Sequence, residues 1–141
     1  MSKVAVVYWS GTGNTEAMAN QVVEGAKGKE AHVDIFTAAE FEEALVDHYD
    51  AIAFGCPSMG AEQLEDGEFE PMFESCLPKL EGKSIALFGS YGWGDGEWME
   101  EWKTTCIKAG VNLICESVIC NDYPDEDGLA ACTKLGEALV G

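Results

Sequence analysis

Arginine is missing altogether from this chain of 141 residues, and 8 lysines face 26 Asp and Glu, for a formal net charge of −18. Nucleic acid is a poor partner for such a surface, because phosphate backbones are gripped by Lys and Arg. Anionic membrane surfaces are excluded on the same grounds. No run of 18 apolar residues is present to span a bilayer. The opening "MSKVAVVYWSG" lacks the long apolar segment and small-residue cleavage site of a signal peptide, so it is expected to be the first strand of a cytoplasmic protein. Cys56, Cys76, Cys106, Cys115, Cys120 and Cys132 make no CxxC pair, and His32 and His48 stand far from all of them. A zinc or iron–sulfur site needs tighter clustering. Reduced, mostly buried thiols are the expectation rather than a disulfide framework. Linkers, internal repeats and low-complexity tracts are also lacking, so residues 1–141 read as a single domain with room for a real core.

What is present alternates regularly. "KVAVVYW" (3–9) is a continuous apolar run, the mark of a strand buried on both faces. A helix follows over 14–27, then an alternating strand "HVDIF" (32–36) and a short helix over 39–48. "AIAFGC" (51–56) and "IALFGS" (85–90) are further strands, separated by a helix that Pro71 starts and Pro78 ends. A helix over 97–110 closes at Gly110, "VNLICESVIC" (111–120) is a fifth strand with an interruption near Glu116, and a last helix covers 125–140. Trp98 and Trp102 share one helical face and are expected in the core. Five strands alternating with helices predict an α/β fold, a doubly wound parallel sheet between two helical layers. Ligands bind such sheets at the carboxyl ends of the strands, where the strand order reverses.

The loop leaving the first strand, "SGTGNT" (10–15), is built for an anion. Gly11 and Gly13 permit tight curvature, so successive N–H groups can converge. Ser10, Thr12, Asn14 and Thr15 add short donors, and the helix that starts here adds its positive end. A strand–helix turn capped by Ser and Thr would use the same residues. No Lys follows, as a nucleotide-hydrolysing P-loop requires. Glu16 stands where the dinucleotide fingerprint needs its third glycine. Tyr8, Trp9 and Ser10 replace the acids that a receiver domain carries at the end of its first strand. A single phosphomonoester held by neutral donors is what remains.

The other loops suggest what that phosphate is attached to. "SYGWGDG" (90–96) sets Trp93 between glycines, as a stacking platform would be. "PSMGAE" (57–62) offers Met59, soft enough for an aromatic face, then Gly60, and Glu62 to accept from a ring N–H. Ordinary rim packing would also account for Trp93 and Met59. A phosphate at one end and an aromatic with a thioether at the other describe a flat heterocycle on a phosphorylated tail.

"VVYWSGTGNTEAMA", "GCPSMGAEQLEDGEFEP" and "ALFGSYGWGDGEWM" together resemble the motifs of the short-chain flavodoxins, from the first strand to the last helix. The resemblance implies strand order 2-1-3-4-5 and FMN bound without a covalent bond. It implies that the phosphate lies on Ser10 to Thr15, with Met59 against the inner flavin face and Trp93 on the outer one. Gly60 and Ala61 would face flavin N5, and Glu62 would accept from N3. Ser58, Ser90, Tyr91, Gly92, Gly94 and Asp95 would complete the pocket, with Asn121 at its rim. Related proteins often carry Gly, Asn or Asp where this chain has Ala61, which is a departure.

The function expected is that of a low-potential one-electron carrier, working between the semiquinone and hydroquinone of FMN, with no catalytic residue and no metal. A unit charge about 10 Å from the reduced flavin is worth on the order of 1 kcal/mol, or roughly 40 mV for one electron. A pocket of neutral donors avoids that upward shift. Fourteen of the 26 acids fall in 62–74, 95–101 and 122–127, beside the expected cofactor rim. They suggest docking of redox enzymes through basic patches, to a carrier expected to be monomeric. The alternative is an FMN-dependent reductase acting on a small substrate such as a quinone, which would need a substrate pocket and usually a nicotinamide site. A flavin-binding sensor would need an output region, and no segment is left over for one.

Overall fold

A computed structural model describes residues 2–60, 63–92 and 94–140. The strands are β1 (Lys3–Tyr8), β2 (His32–Thr37), β3 (Ala51–Gly55), β4 (Ser84–Tyr91), β5 (Asn112–Leu113) and β6 (Val118–Asn121). The α-helices are α1 (Asn14–Gly28), α2 (Phe69–Cys76), α3 (Glu97–Lys108) and α4 (Glu126–Val140). All strand pairs are parallel, in the order β2-β1-β3-β4-β5, with β6 also on β4. The expected fifth strand is therefore one sheet position filled by two short strands. β5 pairs with the start of β4 (Ser84 with Asn112) and β6 with its end (Phe88 with Val118). The break at 114–117 contains the Glu116 that interrupts the apolar run.

Strand alternation sorts the core onto two faces. Val4 and Val6 of β1, Ala51 and Ala53 of β3, and Ala86 and Phe88 of β4 meet Met18 and Val22 of α1 and Leu135 of α4. Ala5 and Val7, Ile52 and Phe54, and Ile85 and Leu87 meet the aromatics of α2 and α3. Phe69, Phe73 and Trp102 pack edge to face with centroids 5.4 to 5.6 Å apart where they meet the indole. Trp98 and Trp102 are core residues, 1% and 2% exposed. Five of the six cysteines are buried and all six are free thiols.

Two expected helices change. The segment 39–48 forms only a 3-10 helix, Glu43–His48. Its start is taken by a turn in which Glu40 Oε1 accepts from the Thr37 N–H and hydroxyl, and Glu42 is extended at φ −145°. The helix after β3 begins at Phe69, two residues before Pro71, and gives way to a 3-10 turn over Leu77–Lys79 at Pro78. A proline in a first turn removes an N–H that has no intrahelical partner, so Pro71 fits there without loss.

Candidate functional site

The strand order reverses between β1 and β3, so the loops leaving those strands part there and open a crevice. Neighbouring strand ends hold the crevice in place. The Trp9 N–H donates to Gly55 O (3.0 Å), Cys56 N–H to Phe88 O (3.1 Å) and Ser58 N–H to Ser90 O (2.9 Å). The loops after β1, β3 and β4 thus start from one hydrogen-bonded rim. Between them lies a cavity of about 240 Å³. Gly11, Thr12 and Asn14 line one part of it, and Ser58, Met59, Ser90, Tyr91 and Gly92 line another.

The first loop is organised from within. Ser10 Oγ accepts from the Gly13 N–H (3.0 Å) and the Glu16 N–H (3.3 Å), which folds the chain around the hydroxyl. Gly13 sits at φ 94°, a left-handed conformation that glycine adopts without strain. Thr15 is 1% exposed and does not line the cavity; its hydroxyl pairs with that of Ser90 at 2.8 Å, tying the loop to the end of β4. One hydroxyl donates and the other accepts, which leaves one O–H free to donate onward.

The second loop is closed by a pair of backbone bonds. Met59 N–H donates to Gln63 O (2.8 Å) and Gln63 N–H to Met59 O (3.0 Å), and Gly60 lies exposed at φ 52°. Glu65 then caps α2: Oε1 accepts from the Glu68 and Phe69 N–H groups and Oε2 from Gly67, each at 2.8 Å. Burial pushes the Glu65 carboxyl up, but the bonds from Phe69, Glu68 and Gly67 outweigh it and hold its pKa below the ordinary value. Behind the loop, the Cys56 thiol accepts from the Glu65 N–H (3.4 Å) and is pushed up by burial, so it is an inert anchor. The Trp98 indole N–H donates to Cys56 O (3.2 Å), bracing the same point from α3.

In the third loop, Gly92 lines the cavity, and Gly94 and Gly96 take positive φ (87° and 93°). Asp95 is exposed and outside the cavity lining. Ala61, Glu62 and Trp93 lie outside the described residues. Asn121 ends β6 in register with Tyr91, but it lines a neighbouring groove rather than the cavity. Asp122, one residue on, takes its place: its N–H donates to Tyr91 O (2.7 Å), and φ 57° turns it to the wall.

Three lining residues escaped the sequence reading: Trp9, Pro57 and Asp122. Trp9 counts as the end of an apolar run, yet its indole N–H reaches Glu68 Oε1 (3.0 Å), linking the first loop to the segment before α2. The signal was its position directly before the glycine loop. Asp122 carries no local mark, because its role comes from the left-handed turn after β6.

No Lys lines the cavity, and among the described residues no group of three or more His, Cys, Asp and Glu is fit to hold a metal ion. No helix is long and apolar enough to cross a membrane, again among the described residues.

Comparison with known proteins agrees with this geometry. The family model described as Flavodoxin matches residues 6–136. The chain is 47% identical over 140 residues to a flavodoxin of Megasphaera elsdenii, covering 97% of this chain and 98% of that one. It is 42% identical to a flavodoxin of Clostridium beijerinckii, over 96% of this chain and 97% of the relative. Its structure superposes on the solution structure of the two-electron reduced Megasphaera elsdenii flavodoxin with a TM-score of 0.89, at 46% identity, covering 96% and 97% of the two chains.

Proposed function

The chain belongs to the flavodoxin family, and from that premise we propose that it is a low-potential, one-electron carrier whose FMN lies in the cleft between the β1, β3 and β4 loops. It is an FMN-binding electron-transfer protein and not an enzyme. The cleft carries the assignment, because neutral donors and a thioether-and-aromatic wall converge there from three loops.

Residues and cofactor fit in chemical type. The N–H groups of Gly11, Thr12 and Asn14, with the Thr12 hydroxyl and the start of α1, suit a phosphomonoester. A hydrogen bond to a charged oxygen is worth roughly 1.5–3 kcal/mol, so several replace a cation. Ser10 and Thr15 position that loop from inside, through the Gly13 and Ser90 bonds. Met59, Tyr91 and Gly92 provide apolar surface and close backbone approach for a flat ring. Bound FMN supplies the chemistry, taking up and releasing electrons one at a time. The protein orients it, shields it from water and surrounds it with negative rather than positive charge, which favours a low potential.

Electrons pass to and from redox partner proteins. We assign their docking to basic patches that meet the acidic rim, and we regard the protein as a cytoplasmic, single-domain monomer. Ala61, Glu62 and Trp93, which lie outside the described residues, keep the roles that the resemblance gives them. No observation favours the reductase reading.

The test is extraction of the flavin and its chromatographic identification after saturating the protein in turn with FMN, FAD and riboflavin. FMN held at one per chain, with riboflavin bound much more weakly, is the expected result. Preference for FAD, or equal affinity for riboflavin, overturns the assignment of a phosphate site.

A further inference from the structure

Two thiols meet where β6 packs against α4. Cys120, in β6, is 7% exposed, and Cys132, in α4, is fully buried. Cys132 follows Gly128 by one helical turn, so both lie on the helix face turned to the sheet. A Cβ placed on Gly128 would stand 2.6 Å from Cys120 Sγ. The glycine therefore lets that sulfur lie directly against the helix, one turn from Cys132, and both thiols belong to one buried cluster. On its other side Cys120 lines a surface groove of about 360 Å³, together with Ile119, Tyr123, Asp125 and Gly128.

We propose that Cys120 and Cys132 are a redox-active dithiol, which closes to a disulfide by exchange with a small disulfide entering that groove. Cys120 is the attacking sulfur. It lines the groove, whereas Cys132 does not, and the neighbouring Cys132 thiol lowers its pKa against burial and the nearby Asp125 carboxylate. Cys132 is fully buried, and the Cys120 thiol beside it and burial push its own thiol up, so it resolves rather than attacks. The Cys120 thiolate forms a bond to one sulfur of RSSR, the RS–SR bond breaks, and RS⁻ leaves. Cys132 gives its proton to that thiolate and attacks the Cys120 sulfur. The mixed disulfide bond breaks, and the second RS⁻ takes a proton from solvent. Two protein thiols have then lost two electrons and two protons, and RSSR has become two RSH.

The other four cysteines are poor competitors, since burial raises Cys56, Cys76, Cys106 and Cys115. The pair also adjoins the cleft. Cys120 is in register with Ser90 and Asn121 with Tyr91, so a bond drawing β6 toward α4 acts on strand ends that form the cleft wall.

The FMN-loaded protein is treated anaerobically with oxidised glutathione, acid-quenched, alkylated and peptide-mapped by mass spectrometry. The expected result is loss of two of the six thiols, a cross-linked pair of peptides containing Cys120 and Cys132, and full recovery in dithiothreitol. In Cys132→Ala the reaction should stop at a glutathione adduct on Cys120, and in Cys120→Ala the Cys132 thiol should stay unmodified. Retention of all thiols by the wild-type protein overturns the proposal, as does first modification at another cysteine. The wild-type map decides even where a variant fails to fold.

Discussion

Glu65 shows how little a count of acids says about what each acid does. Its carboxylate accepts three backbone N–H bonds at 2.8 Å and so organises the turn into α2. Removing such a cap costs about 1 kcal/mol, and Glu65→Ala is expected to destabilise the protein by about that much at pH 7. The pH dependence has a definite sign. The folded pKa is lowered beneath the ordinary 4.5, so the bonds stabilise fully above the titration of the unfolded carboxyl and fade as pH falls through the folded value. Urea unfolding of both proteins at pH 7 and in steps below pH 4.5, followed by circular dichroism, should show the gap closing toward acid. A gap that widens toward acid would mean that the carboxylate is not the capping species. The sequence placed Glu65 in the rim only by proximity. A cap formed by a side chain two to four residues ahead of its N–H partners, outside the usual Ser, Thr, Asp and Asn set, leaves no short motif to read.

At the scale of elements, α1 and α4 approach each other backbone to backbone. A Cβ on Gly136 would stand 2.1 Å from Val22 O, and one on Gly25 would stand 2.0 Å from Thr133 O. Each helix thus presents a glycine to the backbone of the other, which lets both lie over the same alanine-rich sheet face. In the sequence these glycines only weaken helices, by about 1 kcal/mol each relative to Ala. Gly136→Ala should therefore lose more through the clash than it gains in propensity. Overpacking costs about 1–3 kcal/mol, and a lowered midpoint of thermal unfolding, with FMN content held equal, is the expected reading. A raised midpoint would show that the helices part without cost. The strands were legible because double-sided burial demands unbroken apolar runs, as in 3–8 and 51–55. The 3-10 segment at 43–48 was not, because Glu40 competes for the Thr37 backbone in a way that periodicity does not register.

For the whole molecule, the site was legible where one loop carries its own chemistry, as with Gly11, Thr12 and Asn14. It was obscure where the fold decides which neighbour faces inward, as with Asn121 and Asp122. The same holds for charge. A net charge of −18 with fourteen acids in three segments is visible in composition, but how firmly those charges are held is not. Glu65 is fixed by three N–H groups, Glu68 by the Trp9 indole, Asp125 by the Gly128 N–H at 2.8 Å, and Glu100 by Lys103 at 3.2 Å. Anchored carboxylates lose conformational freedom, so the field they set up is steadier than that of loose side chains. Complementary fields of this kind raise association rates far more than they raise affinity. Electron transfer to a partner with a basic docking face should therefore slow as the Debye length shrinks from roughly 10 Å at 0.1 M salt to 3 Å at 1 M. Stopped-flow measurement of the second-order rate constant across that range should show a monotonic fall, and neutralising Glu68 and Asp125 together should flatten it. A rate constant that ignores salt, or rises with it, would mean that partners dock on apolar surface such as the exposed Tyr123 and Ile119 beside the cleft.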